Sequence, residues 1–519
     1  MNALLDLEAP EPQGEASDPK ARSARLLELI DVIERCTLEP TRRVFVNRNL
    51  RMSSVEEVGF DMDYSVLRYK KRNMEELSFE LTAQRLVERR GYPRQILDIP
   101  YDPGFAVRGI VVDKRLGNIV KMDEHDHVGR VYHGRRRLSK ADRHSIYRQL
   151  KIPLMSKDFH VIDTLFALPE AALYADVVDL FELRLGRKEI DYAQLFEDIR
   201  SSIDEVHRDG TLKQVVTANL DRYIELDEDL PAALHRLRSA NKKLFLLTNS
   251  HWDYTRVVMS YALDGRFPEY PSWENYFDLV IVGAQKPAFF KESRPFFEVD
   301  RETGGLLDRP VEKLERRRIY QGGCLAEFQR LRSMDGDRVL YVGDHIYGDI
   351  IRAKKDTLWR TALILDELEG EQILARSVRH AQSELVELEE RIEHLGEETQ
   401  DLRLKLAALE HAIDDDPNRP ETEISELTRI RRNLRQSLDR KKRLTRTLLE
   451  RKNALSIEVD RCFNPYWGSL FKEGSENSSF GSQVEEYACI YTSRVSNFRF
   501  YSPSHYFEAP RHWMAHEKL

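Results

Sequence analysis

The sequence predicts an α/β chain built on a doubly wound parallel sheet, and three observations carry that reading. Short unbroken apolar runs recur: VGF before Asp61, LFLL before Thr248, LVIV before Gly283 and VLYV before Gly343. Such runs mark strands buried on both faces. Stretches with helical apolar spacing separate them, and that alternation describes a parallel sheet covered by helices on both sides. Each run also stops abruptly in polar or small residues. In an open parallel sheet the ligand crevice lies beyond the carboxyl ends of the strands.

The elements follow in order. Residues 1–20 are acidic and proline-bearing, too polar to repay ordering, and are expected to be disordered. SARLLELIDVIERC reads as a helix, and VFVNRN and VEEVGF as strands. HVIDTLFALPEAALYADVVDLFELRL and YAQLFEDIRSSIDEVHRDGTLKQVVTANLDRYIEL read as helical by apolar spacing. The span between Asp61 and Thr248 is far longer than a plain strand–helix–strand connection, so it is expected to carry a cap over the crevice. From Ser383 to Ile413, Leu385, Leu388, Ile392, Leu395, Leu402, Leu406, Leu409 and Ile413 step by three and four, with Thr399 filling the gap. This is a heptad seam. DDDPNRPE breaks it, and a second charged helix places Leu427, Leu434, Leu448 and Leu455 on a seven-residue grid. The pair is expected to form an antiparallel coiled-coil hairpin with a solvated surface. The aromatic stretch CFNPYWGSLF to HYFEAPRHWM is too apolar for water and is expected to pack on the core or a neighbouring subunit.

These readings divide the chain into a disordered 1–20, a first core part 21–110, a cap 111–235, the rest of the core 236–370, the hairpin 371–460 and the aromatic segment 461–519. The 519 residues carry a net charge of -8 from 81 basic and 89 acidic side chains, which excludes a strong basic surplus and with it general nucleic-acid binding. No run is long and apolar enough to cross a bilayer. The start lacks the basic and apolar regions of a signal peptide, and Cys36, Cys324, Cys462 and Cys489 form no CxxC pair. Free thiols in a reducing cytoplasm are expected.

Four polar groups end four candidate strands: Asp61 and Asp63; Thr248, Asn249 and Ser250; Lys286; and Asp344 with Asp349. Each alone has an ordinary reading. An Asp after a strand often caps a helix, a lone Lys is a solvated side chain, and Thr-Asn-Ser is common in loops. Together, at one edge of one sheet, their chemistry fits. Two aspartates from separate strands can grip Mg²⁺, while an ammonium, a hydroxyl and backbone N–H groups suit a phosphate dianion.

This order resembles the haloacid dehalogenase superfamily of phosphohydrolases, with a Rossmannoid core and a cap between the first and second motifs. VFVNRNLRM, VGFDMDYSVLRYKK, LFLLTNSHWDYT, YFDLVIVGAQKPAFF, YVGDHIYGDIIRAKKDTLWRT and WGSLFKEGS resemble the cytosolic purine 5′-nucleotidases, from about Arg42 to the C-terminus apart from the heptad hairpin. The resemblance implies a nucleophile at Asp61, an acid–base residue at Asp63, and Mg²⁺ on Asp61, Asp344 and the Asp63 carbonyl, with Asp349 orienting metal-bound water. It implies Thr248, Asn249 and Ser250 on phosphate and Lys286 on the transferring group. It also matches Phe166, Arg200, Asp204, His207 and Lys213 to nucleoside contacts, for IMP or GMP. Their ordinary readings stay open: Phe166 as core, Arg200 with Asp204 as a helix-face pair, His207 as structural.

The resemblance further implies a homodimer or homotetramer, and possible phosphate transfer to a nucleoside acceptor. In animal members of the family an activating nucleotide binds a second site; here Asp163 and Glu486 replace an Asn and an Arg of that pattern, while Lys355 is retained. Reversing a charge that meets phosphate predicts no such activation, or a different effector. Two other functions fit parts of the chain: a phosphatase for a non-nucleotide ester, and a non-catalytic protein that acts through its hairpin.

Overall fold

The computed structural model describes residues 38–153, 156–187, 189–332, 336–346, 357–415, 420–511 and 514–518. The helix expected at SARLLELIDVIERC, and the expected disorder of 1–20, lie outside them. A ten-stranded sheet organises the chain. Across it run Phe45–Val46, Ile490–Thr492, Arg360–Ile364, Val339–Gly343, Glu57–Phe60, Lys243–Leu247, Leu279–Val282, Ile319–Gly322, Phe296–Val299 and Leu306–Pro310. From Ile490–Thr492 through Ile319–Gly322 every pairing is parallel. The edges are antiparallel, so the sheet is mixed rather than purely parallel.

The central strands are written as apolar runs because they are sealed on both faces: Glu57–Phe60, Leu279–Val282 and Val339–Gly343 are buried at every position. Gly59 is required by close approach, since a Cβ there would lie 2.2 Å from the Phe245 ring. Register then fixes the site. Phe60 stands opposite Leu246 on one side and Val342 on the other. Asp61 therefore leaves the sheet level with the loops that carry Thr248 and Asp344.

A second, five-stranded antiparallel sheet was not legible in the sequence. It runs Arg136–Arg137, Val128–His133, Asn118–Met122, Val111–Asp113 and Phe159–Val161. This corrects the helical reading of HVIDTLF: His160 and Val161 pair with Val112 and Val111, and the helix begins at Leu168. The end of DRYIEL is corrected as well, because Ile224–Glu225 pairs antiparallel with Arg68–Tyr69. Helices Leu168–Asp179, Tyr192–Arg208 and Thr211–Ala218 complete this part.

Helices Arg379–Asp414 and Glu421–Phe463 pack on each other, and the ion pairs Glu384–Arg451, Glu398–Lys441 and Glu410–Arg435 rise along one helix as they descend the other, with Glu389–Lys452 beside the first. Leu395 on the predicted seam is buried, as are Leu438 and Val459, which share the face of Leu434 and Leu455. The C-terminal segment gives the main sheet the strand Ile490–Thr492 and buries Trp467 completely in the largest core cluster. Among the described residues no helix is long and apolar enough to cross a membrane.

Candidate active site

The loops after the central strands meet at one place. Asp61 is only 8% exposed; its Oδ1 accepts the Met62 N–H at 2.7 Å and lies 2.8 Å from Lys286 Nζ. Lys286 Nζ also donates to Tyr341 Oη at 3.0 Å. The loop holding Lys286 is clamped to the loop after Lys243–Leu247. Asn249 Nδ2 donates to the Lys286 carbonyl at 3.0 Å, and the Lys286 N–H returns to Asn249 Oδ1 at 2.6 Å. Gln285, at φ 56°, makes the turn that aims the lysine back at the sheet.

Asp344 is 4% exposed, and its carbonyl accepts from Arg108 Nη1 at 2.8 Å. Arg108 in turn grips Glu367 with both arms of its guanidinium, at 2.8 and 2.5 Å. A buried fork pair thus anchors the Asp344 loop from behind. Asp63 accepts from Tyr69 Oη at 2.6 Å and from Ser250 Oγ at 3.0 Å. Thr248 is fully buried; its hydroxyl accepts the Ser250 N–H at 3.1 Å, so it stands behind the cavity wall and shapes the loop.

The cavity so formed has a volume of about 230 Å³. Asp61, Asp63, Asn249, Ser250, Lys286 and Asp344 line its polar end. Tyr69 stands beside Asp63 and Lys213 beside Ser250, and Phe166, His207 and Tyr254 also line the cavity. It opens into a wider cleft of about 940 Å³ bordered by Asp204. Phe166 meets Tyr64 edge-on at 4.9 Å and His207 at 5.4 Å. Arg200 is not brought to the cavity: it donates to Glu170 Oε2 at 2.7 Å and lies 3.6 Å from Asp204.

Burial governs the charges here. It drives His207 down to about 4, with Lys213 and Arg200 adding to the effect, so the ring is neutral at pH 7. His207 Nε2 is buried and meets no partner among the described residues. Burial also lowers Lys213, with Asp63 acting against it. Tyr69 and Tyr254 are held protonated by burial and by the Asp63 charge. Burial raises Asp163, but His345, 3.0 Å away, together with His160 and a backbone hydrogen bond leaves the carboxyl below its ordinary value.

The donor set fits Mg²⁺. Asp61 and Asp344 offer carboxylates from adjacent strand ends, while the Asp63 carboxylate is turned to Tyr69 and Ser250. Asp349 and Lys355 lie outside the described residues. Tyr69, Tyr254, His345 and Arg108 were not singled out from the sequence. A tyrosine among apolar residues reads as core, and a lone Arg far from any motif carries no local signal.

Residues 44–519 match the model of the 5′ nucleotidase family. The chain is 28% identical over 506 residues to a 5′-nucleotidase domain-containing protein of Dictyostelium discoideum, covering 94% of this chain and 77% of that protein. It is 34% identical over 362 residues to 5′-nucleotidase domain-containing protein 2 of Homo sapiens, covering 66% of this chain and 67% of that one.

Proposed function

The chain belongs to the 5′ nucleotidase family and is a phosphoric monoester hydrolase; from that premise we propose that it cleaves purine nucleoside 5′-monophosphates with Asp61 as nucleophile, Asp63 as acid–base residue and Mg²⁺ as cofactor. The observation that supports this reading is the meeting of Asp61, Asp63, Lys286 and Asp344 around one small cavity.

An Asp61 oxygen attacks phosphorus, and the bond from phosphorus to the ribose oxygen breaks. Asp63 gives that oxygen a proton, so the nucleoside leaves neutral. Asp63 then takes a proton from water as the water oxygen attacks the phosphoryl group on Asp61. Phosphate departs and both carboxyls return to their starting state. Lys286 opposes the charge gathered on the phosphoryl oxygens. Mg²⁺ held by Asp61, Asp344 and the Asp63 carbonyl supplies further positive charge where two anions must approach, a repulsion of about 1 kcal/mol at 4 Å in water and several-fold more in a less polar site. Asn249 and Ser250 line the phosphate end, and Phe166 with neutral His207 the nucleoside end.

One observation favours a second reading. Arg200 is engaged by buried Glu170 and stands away from the cavity, which removes a donor for the base edge and fits a non-nucleotide phosphate ester. Phosphate release from IMP, GMP and a sugar phosphate, with and without Mg²⁺, separates the two. Purine monophosphates are expected to turn over fastest, only with the cation, and not in Asp61→Asn. Preference for the sugar phosphate refutes the purine reading, and activity in Asp61→Asn refutes the mechanism.

A further inference from the structure

We propose that Tyr69, backed by Tyr254, is a positioning residue that aims the Asp63 carboxylate at the reacting oxygen; this rests on the acid–base reading of Asp63 above. Both oxygens of Asp63 are engaged, Oδ1 by Tyr69 Oη at 2.6 Å and Oδ2 by Ser250 Oγ at 3.0 Å. Tyr69 Oη also meets Tyr254 Oη at 2.8 Å. A phenol has one proton. That of Tyr69 goes to Asp63 Oδ1, which as the ionised carboxylate left after proton transfer can only accept, so Tyr254 donates to Tyr69. On the other side Ser250 gives its proton to Asp63 and accepts from Lys213 Nζ at 3.4 Å. Two directional arms therefore hold opposite oxygens and fix rotation of the carboxyl group. Each oxygen keeps a second lone pair to exchange a proton in the cavity.

The arms are rigid. Tyr69 is 3% exposed, sits on the short strand paired with Ile224–Glu225, and packs against Tyr64 with ring centroids 5.0 Å apart. Tyr254 is 6% exposed in the first turn of helix Trp252–Leu263, with the Lys213 ammonium 5.0 Å from its ring. That helix starts directly after Thr248–Ser250, so one segment delivers Ser250 to Asp63 and Tyr254 to Tyr69. The ordinary explanation is that buried tyrosine hydroxyls need any partner. Orientation of the acid–base residue makes a different kinetic prediction.

p-Nitrophenyl phosphate supplies it, because its leaving group needs no proton. Attack by Asp61 then proceeds without Asp63, while water activation still requires it. With Mg²⁺ in rapid mixing, Tyr69→Phe is expected to release nitrophenolate in a burst approaching one per site. A steady rate about 10- to 100-fold below wild type follows, with KM not raised. Tyr254→Phe, which keeps the Tyr69–Asp63 bond, shows the same pattern with a smaller drop. A wild-type steady rate in Tyr69→Phe overturns the inference, as does a fall in rate without a burst. Should Tyr69→Phe not fold, an unchanged rate in Tyr254→Phe overturns it. If Asp61→Asn turns over like wild type, the mechanism itself fails. If Asp61→Asn is inert and Tyr69→Phe is unaffected, only the positioning role fails.

Discussion

Arg108→Leu is expected to destabilise the fold by about 3–5 kcal/mol, because it strands a charge the structure has buried on purpose of pairing. Arg108 is 1% exposed. It makes two charge-assisted bonds to Glu367 and one to the Asp344 carbonyl, and its guanidinium lies 5.1 Å from the Phe480 ring. Removing the guanidinium leaves the Glu367 carboxylate desolvated and unpaired by arginine, and the Asp344 carbonyl short of a donor. The double variant Arg108→Leu/Glu367→Leu removes both charges. It should recover to within about 2 kcal/mol of wild type, since an apolar pair often replaces a buried ion pair at little cost. Burial raises Glu367, but Arg108, joined by Lys71 and a backbone hydrogen bond, outweighs it and the folded carboxyl sits below 4.5. A depressed folded value means stability present at neutral pH and lost as pH falls through it. In Arg108→Leu burial acts with its main opponent gone, so Glu367 takes a proton more readily. The deficit should therefore be smaller at about pH 5 than at about pH 7.5. Urea unfolding followed by tryptophan fluorescence measures Arg108→Leu, Glu367→Leu and the double variant. A single-variant loss under about 1 kcal/mol, or a double variant as unstable as the sum of the singles, refutes the reasoning.

Three further outcomes are expected. Lys286→Met, which removes the ammonium 2.8 Å from Asp61, should lower kcat by about 10²- to 10³-fold; steady-state kinetics showing under 10-fold loss would dismiss its role. Glu170, with no exposed surface, is raised to about 7 by burial despite Arg200. The folded carboxyl thus keeps a proton that the unfolded chain loses above 4.5, and its contribution weakens as pH rises through 7. Relative to wild type, Glu170→Gln should gain stability between about pH 5 and pH 8 by up to about 3 kcal/mol, read as unfolding midpoints; a constant offset contradicts this. Finally, Asp163 is held by His345 and Glu486 is exposed, so added ATP should not raise the hydrolysis rate, and strong stimulation would show that those two substitutions do not abolish activation.

Much of this molecule can be read before it is seen. Strands sealed on both faces are written mostly in apolar residues, so Val58–Phe60, Leu279–Val282 and Val339–Gly343 announce themselves, and their polar ends announce the cavity. The antiparallel sheet does not, because its strands are short and carry charges satisfied only from afar. Lys121 lies at its centre, 2% exposed, with its ammonium on the carbonyls of Trp467, Ser469 and Lys472, more than three hundred residues away. No local pattern foretells that. The hairpin seam was visible because heptads are local, yet Leu438 and Val459 went unmarked one helical turn from residues on the grid. At the site, the acids were legible by position and Tyr69 was not. Its contact with Asp63 comes with the Arg68–Tyr69 strand meeting Ile224–Glu225, a long-range pairing.

The proposed mechanism requires a covalent bond between phosphate and Asp61. Acid-quenching the Mg²⁺-loaded enzyme milliseconds after mixing with ³²P-labelled IMP, then digesting and sequencing the labelled peptide, looks for that bond. Acid-stable, hydroxylamine-sensitive label on the peptide containing Asp61, absent from Asp61→Asn, is the expected result. Turnover with no protein-bound label, or label on a different residue, contradicts it.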